Sequence, residues 1–459
     1  MRQILQSTPP IHLSLLHSQG EPESRVSNTN IMNLFPTVLI SVIVFTILWA
    51  STVSLCQRYQ QCRQMLPFFL IIALAWWSMP LAKIFWLDEI FPPADAIGHE
   101  AMARDTASLL DHGNVSDALA NVRPGNYAYH FALGVFYFLT RSPEYCTYLL
   151  NGMLVFLGSL VLLQALMSCA PLARVSLWMV LLLTATPSAL FWTTTNLKEG
   201  AMFWCGSVLL ATSLRREKST PKMIFLDGLA MMTGLAFRPH IAAGWISAIG
   251  IHAFLRDRRF GRALLLVLAL AGATQSLQIA SPTLFEGLVS DGATETMDNF
   301  YTTRTNIGGS AIAYAGGSPT PIVSGFILLL ARPLPTELFG SLNLLAGIEI
   351  WIISGIALFS ILRHPNPLSL LKEPPIMVSL IALVFFSIFF TGMYNMGLMV
   401  RQRVQILPAI LTLAVYPTLS ARAFCRALSD QRQRRGAQPR LNIPTELDPG
   451  FLQKPLSHK

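Results

Sequence analysis

The chain has 459 residues, of which 53% are hydrophobic and only 12% charged, about half the roughly 25% charged content of soluble domains. That composition excludes a string of soluble domains and points to one membrane domain with no room for a separate globular one. The net charge of +9 sits mostly in short loops and a basic tail. It serves to orient a membrane protein and does not mark a nucleic-acid partner.

In chain order, residues 1–31 are polar and unpatterned, and Met32 directly precedes the first apolar run. The early stretch lacks the basic flank, apolar core and cleavage site of a signal peptide. It reads as an extension, and Met32 is an alternative start. Residues 32–420 then read as an all-α, polytopic helical membrane domain, because backbone groups in lipid must be satisfied within the segment. About eleven spans fit, near 33–55, 66–86, 145–169, 174–193, 199–214, 222–236, 241–255, 263–281, 341–362, 376–395 and 404–420. Residues 421–459 form a basic tail. The six cysteines, Cys56, Cys62, Cys146, Cys169, Cys205 and Cys425, make no CxxC pair and read as small apolar or boundary residues.

Loop charge sets the orientation. Arg215, Arg216 and Lys218, then Arg256, Arg258 and Arg259, then Arg432, Arg434 and Arg435 form strongly basic segments, with Arg58 and Arg63 a weaker one. Placing them in the cytoplasm makes the loops 88–127 and 282–319 external. The first of these has seven acidic residues against two basic, the second four against one, so both tests agree. The N-terminus is then outside, the C-terminus cytoplasmic and a bacterial inner membrane the expected location. This topology requires that 126–141 and 320–333 be interfacial or re-entrant helices on the outer face, walling a cavity. The stretch 222–255 is expected to fold as a hairpin broken at Arg238 and Pro239, which spares Arg238 and His240 a place at mid-depth.

The outer ends of these spans collect the chemistry. Lys198, Arg238, Arg304, Arg332, Arg401 and Arg403 put six cations on the side where such residues are disfavoured, so each needs a partner. Pairing with Glu199, Glu337, Glu349 and the acidic loop is one reading. A phosphate or diphosphate site is the other, since Arg offers a bidentate fork and Lys a point charge. Asp88, Glu89 and Asp95 follow the second span. A carboxylate there can act as general base or hold a divalent metal, Mg or Mn, against the phosphates. In a helix Asp95 and His99 fall at i and i+4 on one face, so that Asp95 orients His99. Glu349 is the one acid clearly inside a span.

Two strings carry a family resemblance. Asp95, His99 and Ala103 repeat at intervals of four, and Pro187, Ser188 and Trp192 precede Asn196, Leu197, Lys198 and Glu199. With the outer cations and the many spans, these resemble the GT-C class of glycosyltransferases and the related bacterial O-antigen and exopolysaccharide polymerases. The resemblance implies inverting transfer of a sugar from a polyprenyl-phosphate or polyprenyl-diphosphate carrier at the outer leaflet. Asp95 or Asp88 would deprotonate the acceptor, and the cations would stabilise the leaving phosphate. It also implies membrane lipid and other polysaccharide-assembly proteins as partners. Two departures stand out: Glu199 replaces the Asp of the second string, and the acidic loop follows the second span where many members place it after the first. The choice among Asp88, Glu89 and Asp95 therefore stays open. Competing readings are a flippase or transporter for lipid-linked sugars, a membrane O-acyltransferase using His240, and a non-catalytic assembly subunit. The transporter reading is disfavoured by the lack of matched broken helices and of polar groups at mid-depth.

Overall fold

A computed structural model describes residues 34–91, 94–120, 122–214, 220–256, 321–337, 341–390 and 396–437. The described residues contain helices and no strand. The expected span 263–281, the expected outer loop 282–319 with Arg304, and the terminal segments 1–31 and 438–459 lie outside them.

The first helices are α1 (Leu34–Arg58), α2 (Leu66–Ala82) and α3 (Ala94–Asp111). They are followed by α4 (Asn126–Thr140), α5 (Glu144–Cys169), α6 (Leu177–Thr184), α7 (Pro187–Thr193) and α8 (Glu199–Leu214). The rest are α9 (Pro221–Phe237), α10 (Pro239–Arg256), α11 (Pro321–Leu330), α12 (Ser341–Leu362), α13 (Pro374–Phe390), α14 (Met396–Arg403) and α15 (Leu407–Ala437). A π-helical turn, Lys83–Leu87, carries α2 on to Ile90. Among the described residues, five helical stretches are long and apolar enough to cross a membrane, and two shorter apolar ones accompany them. Their outward faces are apolar too: Phe35, Val38, Leu39, Val42 and Ile43 of α1 and Leu345, Ile348 and Ile352 of α12 are exposed. In water such faces would be an aggregation hazard; against lipid they are the expected surface.

Helix α5 is the central post. It packs against α8 along small residues, and a Cβ at Gly200 would come 2.9 Å from the Asn151 carbonyl oxygen. Small residues let backbones approach where no hydrophobic drive separates helix from lipid. Helices α9 and α10 form the expected hairpin, broken at Arg238 before Pro239, and pack on α8.

Three expectations change. The span 174–193 is two short helices, α6 and α7, because Pro187 cannot donate a backbone hydrogen bond and begins a new helix. The Thr184 carbonyl, left open because Ser188 N donates to Glu349, accepts from the indole of Trp76 at 2.7 Å. The segment 88–127, read as a loop, is largely helical: in α3 the buried residues Ala96, His99, Ala103 and Ala107 recur every three or four positions, a helical stripe that packs on α4. The last span runs on without a break, α15 continuing to Ala437 and so into the segment read as tail.

Candidate functional site

Three connections bring α3, α4, α8, α10 and α14 to one place. The first fixes the strand of chain before α8. Asn151 of α5 donates through Nδ2 to the Thr195 carbonyl at 2.7 Å. Asn196 donates to the Glu100 carboxylate and, at 3.1 Å, to the Tyr137 hydroxyl. Lys198 and Glu199 follow directly. The second connection ties the start of α4 to the end of α9, where Gly125 N–H donates to the Ala236 carbonyl at 2.7 Å. Gly125 has φ 107°, a conformation open to glycine and strained for other residues. Phe237 packs edge-on to Tyr129 at 5.2 Å. The third is the i, i+4 placement of Asp95 and His99 on α3, facing α14.

At the centre lies Glu199, with no exposed surface. Its Oε1 accepts from Arg238 Nη2 and from Arg401 Nε, each at 2.8 Å. Arg401 also donates to Asp95, and Arg238 donates to Gln402. Lys198 donates to the Asn126 side-chain carbonyl. Arg238 and Arg401 thus converge on Glu199, Arg401 reaches on to Asp95, and Lys198 stands beside them on Asn126. The two carboxylates differ sharply: Glu199 is sealed, whereas the side chain of Asp95 is 62% exposed.

Burial lowers the Lys198 ammonium to about 7, with Arg238 and Arg401 adding to the effect against Glu199 and Asp95. His99 and His130 face each other with Nδ1 of the first 2.6 Å from Nε2 of the second. Burial, then His130, Lys198 and Arg401, push the His99 imidazole down to about 4. His130 is lowered as well, by burial and then by Lys198. Both rings are therefore neutral at pH 7.

The other sequence candidates go elsewhere. Asp88 pairs with Lys83 at 3.3 Å, and Lys83 also lies over the Phe191 ring at 3.7 Å. Glu89 is exposed. Arg332 pairs with Glu337 at 3.0 Å. Arg403 donates to the carbonyls of Leu328 and Arg332 and faces Glu349 across a small cleft, where Glu349 accepts from Ser188 N and Oγ at 2.7 Å each. Of the six expected cations, Lys198, Arg238 and Arg401 come together among the described residues. Arg332 and Arg403 are held by other partners, and Arg304 lies outside the described residues. Part of the pairing alternative is realised as well, since Glu199 and Glu337 each hold arginine.

Gln402 joins the site without a signal of its own in the sequence, and Asn126 and His130, in a string read as an aromatic sugar platform, join it as hydrogen-bond partners of Lys198 and His99. Among the described residues the donors present do not form a divalent-metal site. Both carboxylates of the cluster are occupied by guanidinium groups, and no group of three or more His, Cys, Asp or Glu is poised for a metal among the described residues. No known protein family, curated protein or solved structure matches the chain.

Proposed function

We propose that the chain is a membrane glycosyltransferase, or polysaccharide polymerase, that takes its sugar from a polyprenyl-phosphate or polyprenyl-diphosphate carrier at the outer face of a bacterial inner membrane. The topology that goes with this reading has about eleven spans, N-terminus outside and C-terminus in the cytoplasm. Helices α3 and α4 then lie at the outer interface.

One observation carries the proposal. Lys198, Arg238 and Arg401 come from three separate parts of the chain and are pre-assembled around the buried Glu199. Glu199 holds two guanidinium groups in place. The exposed Asp95 accepts from the Arg401 guanidinium, as a carboxylate does where a phosphate would fit. An arriving phosphate displaces Asp95 and finds its donors already oriented, so little is lost to rearrangement. The leaving lipid phosphate is stabilised by charge alone. Asp95 and His99, on one face of α3, are the two groups placed to act on an acceptor hydroxyl. Exposed aromatic rings such as Tyr127 and Trp86 offer faces for sugar stacking.

A flippase for the same lipid would use the same cations without a proton acceptor. Undecaprenyl phosphate is the probe for both. The protein in nanodiscs should bind it, and Lys198→Ala and Arg238→Ala should each weaken binding at least tenfold. Asp95→Ala together with His99→Ala should keep binding while abolishing surface glycan in host cells deleted for their own copy. Glycan made at the normal level by that double variant would favour the flippase. Binding untouched by either cation variant would remove the phosphate site altogether.

A further inference from the structure

We propose that the end of the bundle away from the Lys198 cluster is a headgroup site for anionic phospholipid, built from Arg58, Arg63, Arg174, Arg422 and Arg426. It goes beyond the lipid-phosphate reading above and does not rest on it. Asn151, which fixes the chain before α8, and Ser168, which borders the basic end, both lie on α5. About 25 Å of helix, at 1.5 Å per residue, separates the two places.

The turn between α5 and α6 gathers the five arginines. Three of its carbonyls are taken by side chains from other elements. Gln61, between α1 and α2, donates to Pro171, Arg426 donates to Leu172 at 2.5 Å, and Arg422 donates to Arg174 at 2.6 Å. The hydroxyls of Tyr59 and Ser168 meet at 3.1 Å and tie the α1–α2 turn to the end of α5. Arg58 and Arg63 stand on either side of Tyr59 and Gln61 in the chain. Three separate parts of the sequence thus deliver guanidinium groups to one end of the bundle.

These arginines differ from those of the other end in what they meet. There Arg238 and Arg401 are held by Glu199, Arg332 by Glu337 and Arg141 by Asp111. Among the described residues none of the five is paired with a carboxylate. Arg58, Arg63 and Arg174 are exposed. Arg422 and Arg426 each spend Nη1 on a carbonyl, and a guanidinium has five donors to give. The one acid of α15, Asp430, is exposed.

Apolar side chains are exposed among them. Leu172 lies in the turn itself, and Phe424 and Leu428 flank Arg426 along α15. That mixture suits the surface of a bilayer, where acyl chains cover the apolar groups and phosphates meet the cations. A phosphate diester accepts two parallel N–H bonds from one guanidinium, which a compact ammonium cannot supply. Charge selects the class of lipid. A zwitterionic headgroup brings its own cation into the cluster, whereas an anionic one brings a net negative charge for it to offset.

Thermal unfolding of the full-length protein in a neutral detergent tests the site, with phosphatidylglycerol as the probe. Phosphatidylglycerol should raise the melting midpoint saturably, and phosphatidylcholine or inorganic phosphate should not. Arg58→Gln, Arg63→Gln and Arg174→Gln together change only exposed side chains, so that triple variant should melt as wild type without lipid. It should need at least tenfold more phosphatidylglycerol for the same rise, since each arginine near an anionic surface contributes about fivefold. Should the triple variant fold poorly, Arg174→Gln alone should shift the titration by about fivefold. Lys198→Ala should leave the phosphatidylglycerol response unchanged, whatever it does to undecaprenyl phosphate. Equal stabilisation by the two phospholipids, a rise reproduced by inorganic phosphate, or arginine variants that respond as wild type would each overturn the site. A response lost in Lys198→Ala and kept in the arginine variants would move the lipid to the other end and overturn it as well.

Discussion

Glu199 is sealed from solvent and accepts hydrogen bonds from Arg238 and Arg401. Removing one member of a buried ion pair leaves the others uncompensated, at about 3–5 kcal/mol. Glu199→Gln should therefore lower the unfolding midpoint in detergent strongly. Arg104→Ala should move it little, because the Arg104–Glu100 pair is half-exposed and worth at most about 1 kcal/mol. Equal effects would mean that Glu199 is not the hub of the site. Lys198 gives a prediction in pH. Its ammonium titrates at about 7 in the fold against an ordinary 10.5. Between those values the unfolded chain binds more protons than the folded one, so this residue's share of stability rises with pH through that window. Phosphate binding runs the other way, since it needs the charged form and weakens as pH climbs above about 7. Lys198→Met should flatten both curves in melts and in undecaprenyl phosphate titrations. If wild type and Lys198→Met follow parallel curves, Lys198 is not the titrating group. At this scale the sequence singled out Lys198, Arg238 and Arg401 as cations at the expected outer ends of spans, Asp95 as an acid following the second span, and His99 by its i, i+4 spacing from Asp95. It did not reveal His130: thirty-one positions separate it from His99, and only the docking of α4 on α3 closes that gap.

The elements place these residues through close helix contact. Gly200 is one residue from Glu199 and two from Lys198, and it faces the Asn151 carbonyl across the α5–α8 seam. Gly200→Val should push α8 away from α5 at a cost of about 1–3 kcal/mol, displacing the paired cations with it. The expected outcome is a lower melting midpoint together with weaker undecaprenyl phosphate binding. Gly228→Val, at a position with open space beside it, serves as the control. A Gly200→Val protein that melts and binds as wild type would show that the seam tolerates a wider spacing. Hydropathy alone located most helices, because an apolar run of span length has few alternatives. It could not see the break at Pro187 as a division between two helices, since the apolar character runs straight through it. Nor could it show that the acidic stretch after the second span folds as a helix. There the burying face is built from Ala96, Ala103 and Ala107, whose small side chains give a faint periodic signal.

For the whole molecule the reading requires two ends of opposite kind. The Asp95 end carries the pre-assembled cations and the acidic helix α3, while α15 carries Arg422, Arg426 and the exposed Cys425 beyond its apolar part. Arg422 and Arg426 donate to the carbonyls of Arg174 and Leu172, between α5 and α6, so the basic end of α15 is packed against the bundle at that side. If positive charge marks the cytoplasm, these ends face opposite compartments, and the protein supplies its own probe. Cys425 is exposed, whereas Cys56, Cys62, Cys146 and Cys205 are buried. An impermeant maleimide should leave Cys425 unlabelled in intact cells and label it once the membrane is opened. In a Cys425→Ser background, Asp95→Cys should label in intact cells, because that side chain is largely exposed. The paired outcome matters more than either half. Labelling of both positions from outside would put the basic end on the wrong face. Labelling of neither until the membrane is opened would put the cation cluster in the cytoplasm, where a phosphate site would serve a soluble donor and the outer-leaflet lipid carrier would lose its argument.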